Sequence, residues 1–163
     1  MISNELQIGK AGEYFVCYDL LKNGYNAYLT DAGLNYDILL DYNSKLFRIQ
    51  VKTTTHEIST SKSKNIYRFG LRNGKKGNKS YKTEIDIIAF VALDIQEIAY
   101  MLRSDILNKN NQVKQIMEFL PIREMNTVGR IYSNGTRRKR YGKCISNFKL
   151  KDMINKLEAP EDI

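Results

Sequence analysis

The stretch Lys45-Leu46-Phe47-Arg48-Ile49-Gln50-Val51-Lys52-Thr53-Thr54 decides how the rest of the chain is read. Side chains of a strand alternate between faces, so Phe47, Ile49 and Val51 point one way and Arg48, Gln50, Lys52 and Thr54 the other. The first face is apolar enough to be core. The second puts a lysine in mid-sheet, where it is costly unless it meets a charge, a ligand or a water-filled cleft. Asn43 and Ser44, just upstream, supply turn chemistry, and the run from Tyr36 to Asp41 before them completes a hairpin. That hairpin sets Asp37, at the head of its strand, opposite the Gln50 to Lys52 end to within a slip of about two residues.

Upstream, residues 4 to 22 have apolar positions at three-and-four spacing, which predicts an amphipathic helix capped by Ser3 or Asn4 and ended by Gly24. On its wheel Glu13 is the only charge in a sector with Leu6, Gly9, Val16, Cys17 and Leu20. A carboxylate on a face that packs against a sheet calls for a metal ion or the Lys52 ammonium. Gly9 and Gly12 imply a close helix-to-sheet approach rather than a nucleotide loop, since no strand precedes them.

Tyr25 to Leu29 forms a further strand. Downstream, strands are expected at Ile66 to Leu71, Ile85 to Leu93 and Glu97 to Leu102, the last two joined by a turn at Asp94 to Gln96. Helical patterning is expected near Ser104 to Ile106, at Val113 to Leu120 and at Leu150 to Leu157. The 163 residues, 42% of them apolar, suffice for one α/β domain with a mixed central β-sheet flanked by helices.

Lys and Arg number 26 against 18 acidic residues, for a net charge of +8, which favours a polyanionic partner such as nucleic acid. With only Cys17, Cys144 and the single His56, a zinc site of the usual kind and histidine-centred hydrolysis are set aside. No apolar run approaches the ~20 residues of a membrane span, and polar Ser3, Asn4 and Glu5 do not open a secretory signal. The expectation is a cytoplasmic or nucleoid-associated protein with reduced thiols and no membrane partner.

The positive charge is clustered. Ser61 to Thr83 holds eight basic residues and no acid: Lys62, Lys64, Arg68, Arg72, Lys75, Lys76, Lys79 and Lys82. Asn126 to Lys151 holds eight more, densest at Arg137, Arg138, Lys139, Arg140 and Lys143, again without an acid. Apart from Lys82, the basic residues named in these two stretches are candidates for tracking DNA phosphates, and Arg137 to Arg140 for reading base edges in a groove. The plainer alternatives are a solvated charged face or a localisation tag. Glu13 could likewise pair with a neighbouring basic residue, Asp37 close a turn, and Lys52 guard an edge strand. Asp86, in an apolar strand, reads as structural or as a hinge to the DNA loop rather than as catalytic.

Glu13, Asp37, the Gln50 side-chain oxygen and the Val51 carbonyl together form the oxygen-rich set that Mg²⁺ prefers, with Mn²⁺ as the alternative ion. Gly12-Glu13, Asn35-Tyr36-Asp37 and Arg48-Ile49-Gln50-Val51-Lys52-Thr53, in that order, resemble the PD-(D/E)XK nuclease signature. The resemblance runs from about residue 7 to 103, and is to the branch holding group I intron homing endonucleases and to relatives among Holliday junction resolvases. Asn35-Tyr36-Asp37 stands where the family has proline and aspartate, and Gln50 where it usually has an acid.

Residues 1–125 are expected to form the nuclease core, and residues 126–163, where the chain turns basic, a DNA-binding extension of the same domain. The resemblance implies that Asp37 holds Mg²⁺ with Gln50, the Val51 carbonyl and Glu13, and that Lys52 positions or activates the attacking water. It implies sequence-specific cleavage of double-stranded DNA by a homodimer or homotetramer. A junction resolvase, or a non-catalytic DNA-binding protein on the same fold, are the alternatives.

Overall fold

The computed structural model describes residues 4–31, 34–60, 65–71, 85–121 and 144–158. Helix α1 spans Glu5–Lys22, with the Asn4 side chain accepting from Leu6 N–H at 3.0 Å as its cap. Asn23 closes the helix, and Gly24 follows at φ 85°, a left-handed turn that favours glycine. Strands β1 (Asn26–Leu29), β2 (Ile38–Tyr42) and β3 (Lys45–Thr54) then form an antiparallel meander. The β2–β3 turn is Asn43-Ser44, both at positive φ (51° and 60°), the conformation a two-residue hairpin turn requires.

After the short β4 (Ile58–Ser59) and β5 (Asn65–Gly70), the chain re-enters the main sheet as β6 (Ile87–Ala92), parallel to β3, and returns as β7 (Glu97–Leu102). The main sheet therefore has the order β1-β2-β3-β6-β7, mixed, with β3 and β6 inside it. β6 is buried at all six positions because both of its faces are covered. Ile87, Ala89 and Val91 join Ile49 and Val51 under Val16, Cys17 and Leu20 of α1 and Met153 and Ile154 of α2 (Leu150–Glu158). On the opposite face, Ile88, Phe90 and Ala92 join Tyr67, Phe69 and Phe119.

That second cover is a three-stranded sheet, β4-β5-β8, with β8 at Ile116–Phe119. The α/β class with a mixed central sheet thus holds, with both helices on one face and strands on the other. The helix expected over Val113 to Leu120 is a correction. Met117 and Phe119 are buried while Ile116 and Glu118 are exposed, a period of two set by pairing with β5. Ser104 to Ile106 falls in a 3-10 turn, Arg103–Ile106. Leu6, expected on the packed face of α1, is 71% exposed.

Residues 144–158 belong to the same body. Cys144 bridges Leu120, Tyr100 N–H donates to the Phe148 carbonyl at 2.9 Å, and α2 is tied by Lys156 to Asp105 and by Glu158 to Tyr42. α1 is tied to β7 by the Tyr100 hydroxyl, which donates to Asp19 Oδ2 at 2.7 Å. Burial, reinforced by the Asp19 charge, pushes the Tyr100 phenol well above its usual range, so it stays a donor. Tyr100→Phe is expected to cost about 1–2 kcal/mol in chemical denaturation, because it removes a hydrogen bond to a charged acceptor without changing ring packing.

Candidate active site

Asp37 sits one residue before β2, and the register Ile38↔Ile49 carries it opposite Gln50. Its N–H donates to the Ile49 carbonyl at 2.9 Å. Its Oδ2 accepts from the Val51 N–H at 2.7 Å and from the Gln50 side-chain amide. It does not close a turn; it spans the hairpin. Lys52 lies on the same face of β3 as Gln50, paired to β6 opposite Phe90 and beyond Ile49, where the pairing with β2 ends.

The electrostatics follow from enclosure. Desolvation raises the Asp37 carboxyl above its ordinary value, the Val51 N–H opposes this, and the nearby Glu13 charge adds to it. Burial lowers the Lys52 ammonium, and the Asp37 charge offsets part of that shift. Glu13 lies close enough for its charge to act on Asp37. Its Oε2 also receives an ion pair from Lys10 Nζ at 2.6 Å, so the expected pairing with a neighbouring base is present as well.

What brings Glu13 there is the contact behind it. A Cβ on Gly12 would lie 1.9 Å from Thr53 Oγ1, so only glycine lets α1 approach β3 this closely. Gly9, the other glycine expected to serve that approach, has nothing within 4 Å of a Cβ. Asp86 binds Arg48: Oδ2 accepts from the Arg48 N–H at 2.8 Å and from Nε at 3.1 Å, and Oδ1 from Nη2 at 3.3 Å. It is structural, pinning the start of β3 to β6.

Among the described residues no three of the His, Cys, Asp and Glu side chains converge, so a metal at Asp37 and Glu13 must also draw on neutral oxygens. The donor set allows this. A half-turn of the Gln50 amide places Oε1 where its NH₂ now faces Asp37, with no change of shape. A desolvated carboxyl with a second carboxylate nearby is a site whose repulsion a divalent cation relieves. The residues present therefore fit a divalent metal.

Of the basic candidates, Arg68 is described, and it is engaged: it meets Glu118 across β5 and β8, Nη2 to Oε1 at 2.7 Å. Lys62, Lys64, Arg72, Lys75, Lys76, Lys79, Arg137, Arg138, Lys139, Arg140 and Lys143 lie outside the described residues. The site residue that sequence reading missed is Lys10. Its signal was present, since it stands three positions before Glu13 and so shares its helix face.

Fold and site together define the class: a mixed α/β core with a half-buried carboxylate and lysine on neighbouring strands of its hairpin. The sequence profile of the PD-(D/E)XK endonuclease family matches residues 3–124, and the chain belongs to that family. PD-(D/E)XK nucleases generally use divalent metal ions. Among solved structures the chain is similar to a bacterial homing endonuclease, I-Ssp6803I, with a TM-score of 0.58 and 14% identity over 96% of this chain and 99% of that one. At that identity the likeness is one of fold. No curated protein matches the chain in sequence. Among the described residues no helix is long and apolar enough to cross a membrane.

Proposed function

We propose that the protein is a Mg²⁺-dependent DNA endonuclease that hydrolyses phosphodiester bonds, making sequence-specific double-strand cuts of the homing type. The observation that carries this reading is Asp37 Oδ2, fixed by the Val51 N–H and the Gln50 amide on the strand that also carries half-buried Lys52. Asp37, the Gln50 amide oxygen, the Val51 carbonyl and Glu13 would hold Mg²⁺, or Mn²⁺ in its place. The ion supplies Lewis-acid stabilisation of the charge that builds on the phosphate oxygens.

Lys52 does the rest. Its enclosed ammonium loses a proton more readily than an exposed lysine's; once neutral, the amine orients the attacking water and accepts its proton as the new oxygen–phosphorus bond forms, and the leaving oxygen departs, taking a proton from solvent. One small chain carries one such site, so cutting both strands takes a homodimer or homotetramer on the duplex. Residues 126–163 would supply the basic DNA-binding extension, and the stretch from Lys62 to Lys79 a second phosphate-tracking surface.

Plasmid cleavage in Mg²⁺ beside a four-way junction tests the reading. Discrete plasmid cuts support it. Junction-only cutting would turn it to a resolvase, and cleavage of neither to a DNA-binding protein on this fold.

Metal should also register in stability. The raised folded-state value of Asp37 means the folded state favours its protonated form, so this contribution to stability is lost as pH rises through that value. A divalent ion binds the ionised form and offsets the loss. Mg²⁺ against EDTA is therefore expected to raise Tm, more at mildly alkaline than at mildly acidic pH, and not at all in Asp37→Ala. A Tm unmoved at both pH values by Mg²⁺ in large excess, enough to fill a weak site, would count against the site.

A further inference from the structure

Lys10 holds Glu13 in a pair at 2.6 Å, with the lysine side chain 49% exposed and the glutamate 14%. The partner that can leave is therefore the lysine. Its ammonium ends a flexible four-carbon stem, which lets it swing away from Glu13 without moving the helix. The charge of Asp37 also reaches Lys10. Lys10 and Lys52 balance Glu13 and Asp37, and Gln50 adds nothing, so the centre has no formal net charge before a metal arrives. A divalent ion that draws on Glu13 meets an ammonium already seated on its Oε2 and is opposed by that charge.

We propose that Lys10 couples metal binding to DNA binding. In the free protein its ammonium holds Glu13; when DNA docks, the ammonium moves to a backbone phosphate and releases the Glu13 carboxylate to the metal. The proposal rests on the reading of Asp37 and Glu13 as metal ligands. It follows that the free protein binds a divalent ion weakly and that DNA tightens that binding, the two effects being reciprocal. The released cation also explains how a centre with an amide in place of an acid reaches the charge balance that a metal needs, because the phosphate takes over the positive charge that Lys10 brought.

The test is Mn²⁺ titration by calorimetry on the full chain, alone and with a short phosphorothioate duplex, for wild type, Lys10→Met, Lys10→Arg and Asp37→Ala. Lys10→Met alone is expected to bind Mn²⁺ roughly five- to tenfold more tightly than wild type, since one opposing charge has left the centre. The duplex is expected to tighten Mn²⁺ binding in wild type and Lys10→Arg, and to have little effect in Lys10→Met. Equal or weaker binding by free Lys10→Met, with Asp37→Ala still abolishing it, overturns the role of Lys10 alone. Unchanged binding in Asp37→Ala overturns the metal site and the proposal with it.

Discussion

Asp37→Ala is expected to lower the DNA cleavage rate about a hundred- to a thousandfold or more at saturating Mg²⁺, the scale of losing one preorganised electrostatic group at a reacting phosphate. The fold should survive. Asp37 is only half-buried, lies outside the apolar clusters, and its desolvated carboxylate is a burden on the metal-free protein. Its removal leaves the Val51 N–H and the Gln50 amide without their acceptor, which offsets part of that gain. Circular dichroism with single-turnover cleavage separates the two effects. Cleavage close to the wild-type rate in a well-folded Asp37→Ala would sink the proposed centre.

The second large effect is expected at Gly12. A Cβ there meets Thr53 Oγ1 at 1.9 Å and Thr53 Cβ and Cγ2 at 2.9 Å. Thr53 is β-branched on an interior strand, so its side chain has few ways to yield. Gly12→Ala should cost about 1–3 kcal/mol from overpacking. Its larger consequence is functional, because Gly12 adjoins Glu13 and Thr53 adjoins Lys52: moving α1 off β3 draws Glu13 away from Asp37. Misplacement of about 1 Å can cost on the order of a hundredfold in rate.

Two variants make the cause identifiable. Gly9→Ala, with open space around its Cβ, should keep activity and gain up to about 1 kcal/mol of stability from helix propensity. Adding Thr53→Ala to Gly12→Ala removes the 1.9 Å contact and should restore part of both losses. Gly12→Ala with unchanged stability and unchanged cleavage would show that the contact is not what positions Glu13.

The hairpin was legible in the sequence because its signals agree. Alternation in Phe47 to Lys52, turn residues at Asn43 and Ser44, and a two-residue loop leave one register, and it sets Asp37 against Gln50. Gly12 was legible for the same reason, as a residue without a side chain on a face that must pack. The stretch from Val113 to Leu120 was not. Short apolar runs satisfy helix and strand spacing alike, and what made this one a strand is a long-range partner, β5, that local pattern does not reveal. Lys10 was missed because it lies outside the apolar sector around Glu13, where a half-exposed lysine on a helix reads as ordinary solvated charge.

In the proposed centre one divalent ion sits between Asp37, Gln50, Val51 and Glu13. Crystals grown without metal and soaked in Mn²⁺ would show it directly by anomalous scattering. A peak is expected about 2.1 Å from an Asp37 carboxylate oxygen and from the Val51 carbonyl, with the Gln50 amide oxygen turned toward it. A well-ordered Asp37 with no peak beside it, while Mn²⁺ supports cleavage by the same preparation, would contradict that placement.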